Sequence, residues 1–152
     1  MRRGDCEART SDCTISTIML GTTRYITLEA AKTMMAAAEA EAVKNNWKMA
    51  ISIVDEAGNL ILFEKLDDTQ PGSIAVANSK ARTAANFKRP TKVLEDMVTS
   101  GRTSFLAIEG LLPLQGGVPV TAEGRVIGAV GVSGGTAAQD EQVALAAVAV
   151  LA

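Results

Sequence analysis

The sequence predicts one α/β domain of the α+β kind, in which helices pack on the faces of a largely antiparallel sheet, and three observations predict it. First, 152 residues with 47% hydrophobic and 21% charged content suit a single globular domain and are too few for two full-sized ones. Second, the apolar period switches between helical and strand spacing in the order helix, hairpin, two helices, irregular segment, hairpin, helix. Third, each strand pair is joined by turn chemistry, Asp55-Glu56-Ala57-Gly58-Asn59 and Ala122-Glu123-Gly124-Arg125, which favours hairpins over the crossovers of a doubly wound sheet.

The elements follow in chain order. Thr27 caps a helix whose Leu28, Ala31, Met35, Ala38 and Ala42 recur at three- and four-residue steps, with Glu29 in its first turn, ending near Asn45-Asn46. Met49, Ile51 and Ile53 then alternate with the smaller Ala50, Ser52 and Val54, which is a strand, and Leu60 to Leu66 is its hairpin partner. After the polar loop Asp67 to Gly72, Ser73 is the expected N-cap of a helix with Ile74, Ala77, Ala81 and Ala84 on its buried stripe. Pro90 interrupts, and Thr91 restarts a short helix carrying Val93, Leu94, Met97 and Val98 that closes at Ser100-Gly101. Phe105 to Gly117 is apolar but broken by Gly110, Pro113, Gly116 and Gly117, so it reads as mostly irregular. Val118 to Thr121 and Val126 to Ser133 are strands; Thr136 and Gln139 have capping-box spacing and open a last helix with Val143, Ala144, Ala147, Val150 and Leu151 inward.

Residues 1–24 read as a polar N-terminal tail and residues 25–152 as the domain, with Met19 an alternative start. The tail lacks the apolar region of an export signal. Cys6 and Cys13 fit reduced cytosolic thiols better than a disulfide framework, so a cytoplasmic location is expected.

Composition excludes several functions. Fifteen Lys+Arg against seventeen Asp+Glu leave a formal net charge of −2, without the basic excess of a nucleic-acid binder. No window approaches the roughly 20 apolar residues of a membrane helix. With no histidine in the chain, histidine triads, histidine zinc sites and histidine-ligated haem are excluded. The acids supply no metal cluster of recognisable spacing.

Two features carry candidate chemistry. Ser133-Gly134-Gly135-Thr136 delivers backbone N–H groups at a helix start, where an anion such as a carboxylate would bind. The alternative is that the glycines only make a sharp turn against a closely packed helix. Asn78, Arg82 and Asn86 recur every four residues; either they form a solvated face, or Arg82, with its neighbour Lys80, turns into a cleft and pairs with a carboxylate-bearing ligand. Asp55, Glu64, Glu109 and Asp140 stand at element ends, as surface charges or as proton-transfer groups. Asp140 in particular reads as a dipole partner of the last helix.

Thr27-Leu28-Glu29-Ala30-Ala31, Ile53-Val54-Asp55 with Gly58, Gly72-Ser73, Lys80-Ala81-Arg82-Thr83-Ala84, Pro90-Thr91, Gly116-Gly117-Val118-Pro119 and the run from Ile127 to Gly135 with Asp140 together resemble the GlcG/HbpS family, which includes the C-terminal domain of PduO proteins. The resemblance runs from about Tyr25 to the end of the chain. It implies a profilin-like fold with an antiparallel sheet of about five strands flanked by helices, assembled into homo-oligomers, tetramers or octamers. It also implies ligands that differ among members: haem, cobalamin-related molecules or small organic compounds, in the setting of glycolate, glycerol or propanediol catabolism. Haem-binding members use histidine; here a methionine, Tyr25, a cysteine or a lysine would have to replace it, or packing alone would hold the macrocycle.

The expected function is therefore an oligomeric protein that binds a small organic acid or similar anionic metabolite through Lys80, Arg82, Gly116, Gly117, Ser133, Gly134, Gly135 and Thr136. A cofactor-independent isomerase or lyase, with Arg82 as electrophile and Asp55 or Glu64 as base, is the alternative; haem or corrinoid binding without histidine is the third. The apolar run Leu111-Leu112-Pro113-Leu114 is expected either to be covered by a neighbouring subunit or to fold inward onto its own sheet.

Overall fold

A computed structural model describes residues 21–151. Cys6, Cys13, Met19 and nearly all of the expected tail lie outside the described residues. The elements are α1 (Leu28–Lys44), β1 (Ala50–Asp55), β2 (Leu60–Lys65), α2 (Ser73–Phe87), α3 (Thr91–Thr99), a 3-10 turn (Thr103–Ala107), β3 (Gly117–Ala122), β4 (Arg125–Ser133) and α4 (Ala137–Ala149).

The strands form one antiparallel sheet in the order β2-β1-β4-β3. Side chains alternate across it as the pleat requires. Ile51 and Ile53 of β1, Val130 and Val132 of β4, and Val118 and Val120 of β3 share the face that packs on α1 and α4. Met34, Met35, Ala38, Val143, Ala144 and Ala147 close this main core, each no more than 2% exposed. Ser52, Val54, Ala129 and Gly131 point to the other face, where α2 lies on them with Ala77, Ala81, Ala84 and Ala85. A Cβ at Gly131 would overlap the Ala77 carbonyl oxygen and the Ala81 backbone nitrogen. The bare strand is therefore the seat of α2, and that contact fixes how every α2 side chain is aimed.

Several local expectations hold. Thr27 caps α1 by accepting from the Ala30 N–H, and Thr136 and Gln139 exchange both bonds of a capping box at α4. Others are corrected. The described residues hold four strands where the resemblance implies about five, because the segment before β3, interrupted by Gly110 and Pro113, forms the 3-10 turn and further turns rather than a ladder. Ser73 is the first helical residue of α2 rather than its cap; Gly72 holds the cap position, and the Ser73 hydroxyl is buried without a partner. Leu28 and Ile74, expected inside, are exposed because the α1 stripe runs through Met34 instead and the α2 stripe through Lys80. Val150 and Leu151 fall past the end of α4 and are exposed as well.

Candidate functional site

The glycine-rich exit of β4 is already filled by the protein's own groups. Asp140, in the first turn of α4, accepts from the Gly135 N–H at 2.9 Å, and Gln139 Oε1 accepts from the Thr136 N–H at 2.9 Å. Asp140 Oδ2 also lies 2.7 Å from Lys80 Nζ, which donates at 3.0 Å to the Val132 carbonyl. Both charged side chains are only 4% exposed. Burial pushes the Asp140 carboxyl up from its ordinary range, while Lys80 and the Gly135 N–H act against that rise.

The glycines around this pair leave no room to spare. A Cβ at Gly116 would stand 2.8 Å from Asp140 Cβ and 2.9 Å from Lys80 Nζ, and one at Gly117 would stand 2.5 Å from the Lys80 carbonyl oxygen. At Gly134 it would overlap the Lys48 carbonyl, and at Gly135 it would lie 2.7 Å from Gln139 Oε1. Ser133 is buried at 6% exposure. Lys80, Gly116, Gly117, Ser133, Gly134, Gly135 and Thr136 thus form a joint between α2, β3, β4 and α4 in which an internal carboxylate takes the place expected for a ligand. Asp140 is a buried ion-pair partner rather than a surface dipole charge.

Arg82 is placed differently. It is exposed and lines a cavity of about 410 Å³ with Val54, Gly58, Asn59, Leu60 and Asn78. The β1–β2 turn rests on the α2 stripe: a Cβ at Gly58, whose φ is +81°, would meet Asn86 Oδ1 at 3.2 Å and Arg82 Cγ at 3.4 Å. The Arg82 stem is therefore held by packing while its guanidinium makes no ion pair among the described residues. Asn78 Oδ1 accepts from the Ser52 hydroxyl at 2.7 Å, which fixes the amide and leaves its NH₂ for the cavity.

The two halves of the expected site lie at opposite ends of the sheet. Val54, which lines the Arg82 cavity, pairs with Ala129, and Ala50 pairs with Ser133, so four residue steps, about 13 Å of strand, separate that wall from the β4 exit. One small anion does not bridge them.

The proposed bases are also not assembled. Asp55 accepts from the Ala57 N–H, the Asn59 N–H and the Asn59 side chain at 2.9, 2.8 and 3.1 Å, closing the hairpin turn. Burial alone would raise its carboxyl, but these bonds outweigh burial and hold it below its ordinary value. Glu64 pairs with Ile51 and therefore points to the α1 face, away from Arg82; burial first and Glu39 second push it up. Glu109 is exposed beyond the 3-10 turn. The missed feature is the Lys80–Asp140 pair. Its signal was present: Asp140 shares a stripe with Val143, Ala144 and Ala147, and Lys80 one with Ala77, Ala81 and Ala84, so two opposite charges sit on inward faces.

Fold and site define a small α+β sheet protein with a cavity on each side of its β1–β2 turn, and no carboxylate or thiol cluster suited to a metal occurs among the described residues. The chain belongs to the GlcG/HbpS family: the family model described as haem degrading protein HbpS-like matches residues 26–149. Protein GlcG of Escherichia coli strain K12 is 48% identical over 103 residues, covering 68% of this chain and 77% of that one. The crystal structure of a double mutant of Streptomyces reticuli HbpS is similar with a TM-score of 0.81 and 33% identity, over 100% of this chain and 99% of that one. A PduOC:heme complex is similar with a TM-score of 0.76 and 28% identity, over 83% and 94% of the two chains.

Proposed function

We propose that this protein binds a small organic acid or similar anionic metabolite, in a catabolic setting, with Arg82 taking the carboxylate. The observation that carries the reading is an unneutralised guanidinium, braced against Gly58, facing a cavity of about 410 Å³ beside the Asn78 amide. A bidentate guanidinium–carboxylate pair fits such an edge-on donor. Binding rather than catalysis is favoured because Asp55 is tied into its turn and Glu64 is on the other face of the sheet. Thermal-shift titration with a panel of small mono- and dicarboxylates is the test. At least one acid should raise the melting temperature of the native chain and leave Arg82→Ala unmoved; a panel without any shift, or a shift that survives Arg82→Ala, refutes the reading.

A second reading is haem binding, which the family model's description and the PduOC:heme complex suggest and one cavity favours. About 430 Å³ is lined by Tyr25, Ile26, Ala30, Ala122, Ile127 and Leu151 among others, a largely apolar wall with a phenol at its edge. Met34, Met35 and Met49 are sealed in the core, the chain has no histidine, and of the candidate ligand types only Tyr25 lines this cavity, so Tyr25 is the axial ligand to test. Haem held there would supply iron chemistry; the chain's own part is to exclude water with Ile26 and Ile127 and to offer the phenol oxygen. A Soret band on haem titration that shifts in Tyr25→Phe supports this, and an identical band in the variant rules it out.

The assembly expected is a homo-oligomer, tetramer or octamer. Of the expected run, Leu111, Leu112 and Pro113 are half-buried and only Leu114 is exposed; with the exposed Leu106 and Ile108 on the same segment between α3 and β3 it leaves an apolar surface suited to a second copy of this chain. Sedimentation at micromolar concentration should show an oligomer, and a monomer there would contradict the reading. No helix among the described residues is long and apolar enough to cross a membrane, and we place the protein in the cytoplasm.

A further inference from the structure

The β1–β2 turn has a cavity on each side. Arg82 lines one; the other, about 420 Å³, is lined by Thr23, Glu56, Lys88, Gly124, Arg125 and Val126. Its charges come from three separate segments: Glu56 from the turn, Lys88 from the C-cap of α2, and Arg125 from the first position of β4. None of the three makes an ion pair among the described residues. The nearest acid along the chain from Arg125, Glu123, is already held by Arg24 at 2.6 Å. Two cations and one anion therefore face the same space without neutralising one another.

Lys88 stands there at a conformational cost. Its φ and ψ are 52° and 39°, the left-handed conformation that closes a helix, with its N–H donating to the Ala84 and Ala85 carbonyls. Glycine fills this position without steric penalty.

We propose that this cavity is a second small-molecule site, for a phosphomonoester that also carries an ammonium group. The charges match group by group. A phosphate dianion is balanced by the Arg125 guanidinium, which presents a planar fork, and the Lys88 ammonium, which acts as a point charge. Glu56 receives the ammonium, while the Thr23 hydroxyl, which donates to the Arg24 carbonyl at 3.2 Å, only borders the cavity. The site is independent of the carboxylate reading at Arg82, since the two cavities share no lining residue.

The test is isothermal titration of the full chain with O-phosphoethanolamine and, separately, with inorganic phosphate. Phosphoethanolamine should bind more tightly than phosphate. Arg125→Ala and Lys88→Gly should each weaken it at least about tenfold, the loss of one hydrogen bond to a charged group. Glu56→Gln should abolish its advantage over phosphate, and Arg82→Ala should leave both unchanged. Lys88→Gly should at the same time raise the melting temperature, because the left-handed strain is released. Absence of saturable binding, full binding in Arg125→Ala, or dependence on Arg82 overturns the proposal. So does a Lys88→Gly variant that melts lower yet binds normally, the behaviour of a lysine serving only the helix dipole. Organic-acid shifts lost in Arg82→Ala with phosphoethanolamine binding intact separate this site from the first, and failure of either leaves the other standing.

Discussion

Replacing Asp140 by alanine tests the central joint of the fold. The substitution removes the acceptor of Lys80 Nζ at 2.7 Å and of the Gly135 N–H at 2.9 Å. Lys80 would keep only the Val132 carbonyl at 3.0 Å, with its side chain still 4% exposed. Breaking a buried pair by deleting one partner costs about 3–5 kcal/mol, because the surviving charge stays buried without compensation. The stranded Gly135 N–H adds about 1–3 kcal/mol in isolation, but both groups lean on one carboxylate, so the terms overlap and about 4 kcal/mol is expected in total. For a chain of this size that lowers the melting temperature by roughly 10–15 °C. Replacing both partners, Lys80→Met with Asp140→Leu, removes the buried charges together and should recover most of the loss. Urea denaturation of Lys80→Met, Asp140→Leu and the double variant gives the coupling energy. A loss under about 1 kcal/mol for Asp140→Ala, or a double variant no better than the worse single one, would refute the view that the pair's charges compensate each other in the interior.

Other outcomes follow from the same geometry. Gly131→Ala should lower stability by about 3 kcal/mol or prevent folding, because its methyl would overlap α2 backbone that has no side-chain freedom to yield; circular dichroism melting decides this. Glu64→Gln concerns pH. Burial raises the folded-state pKa of Glu64, so the folded form binds the proton more tightly than the unfolded form does, and the resulting stability is present at low pH and lost as pH rises through the folded value. The variant should accordingly outlast the native chain at pH 7 and lose that advantage near pH 4, as denaturation at the two pH values will show. Thr136→Ala removes a capping-box oxygen and should cost about 1 kcal/mol in the same assay.

The site was legible in pieces rather than as a unit. Arg82 was identified from its stripe, and it does line a cavity. The β4 exit was identified from its free N–H groups, and those groups are satisfied by Asp140 and Gln139. Residues this far apart in sequence are placed by strand register and by the seat of α2 on Gly131, which no local spacing reports. The same reason hid the cavity at Lys88 and Arg125, since its walls join the end of a helix to two separate turns.

Sequence by itself determined the elements, because caps, turns and apolar periods act over three to five residues: Thr27 and Thr136 cap, Gly58 and Gly124 turn, and the valines and isoleucines alternate. The tertiary structure alone decided partnership. Lys80 meets Asp140 across 60 residues, and Arg82 is parted from the glycine exit by the length of a strand. Burying a charge is tolerable only beside its opposite, and which opposite is near depends on how the layers stack.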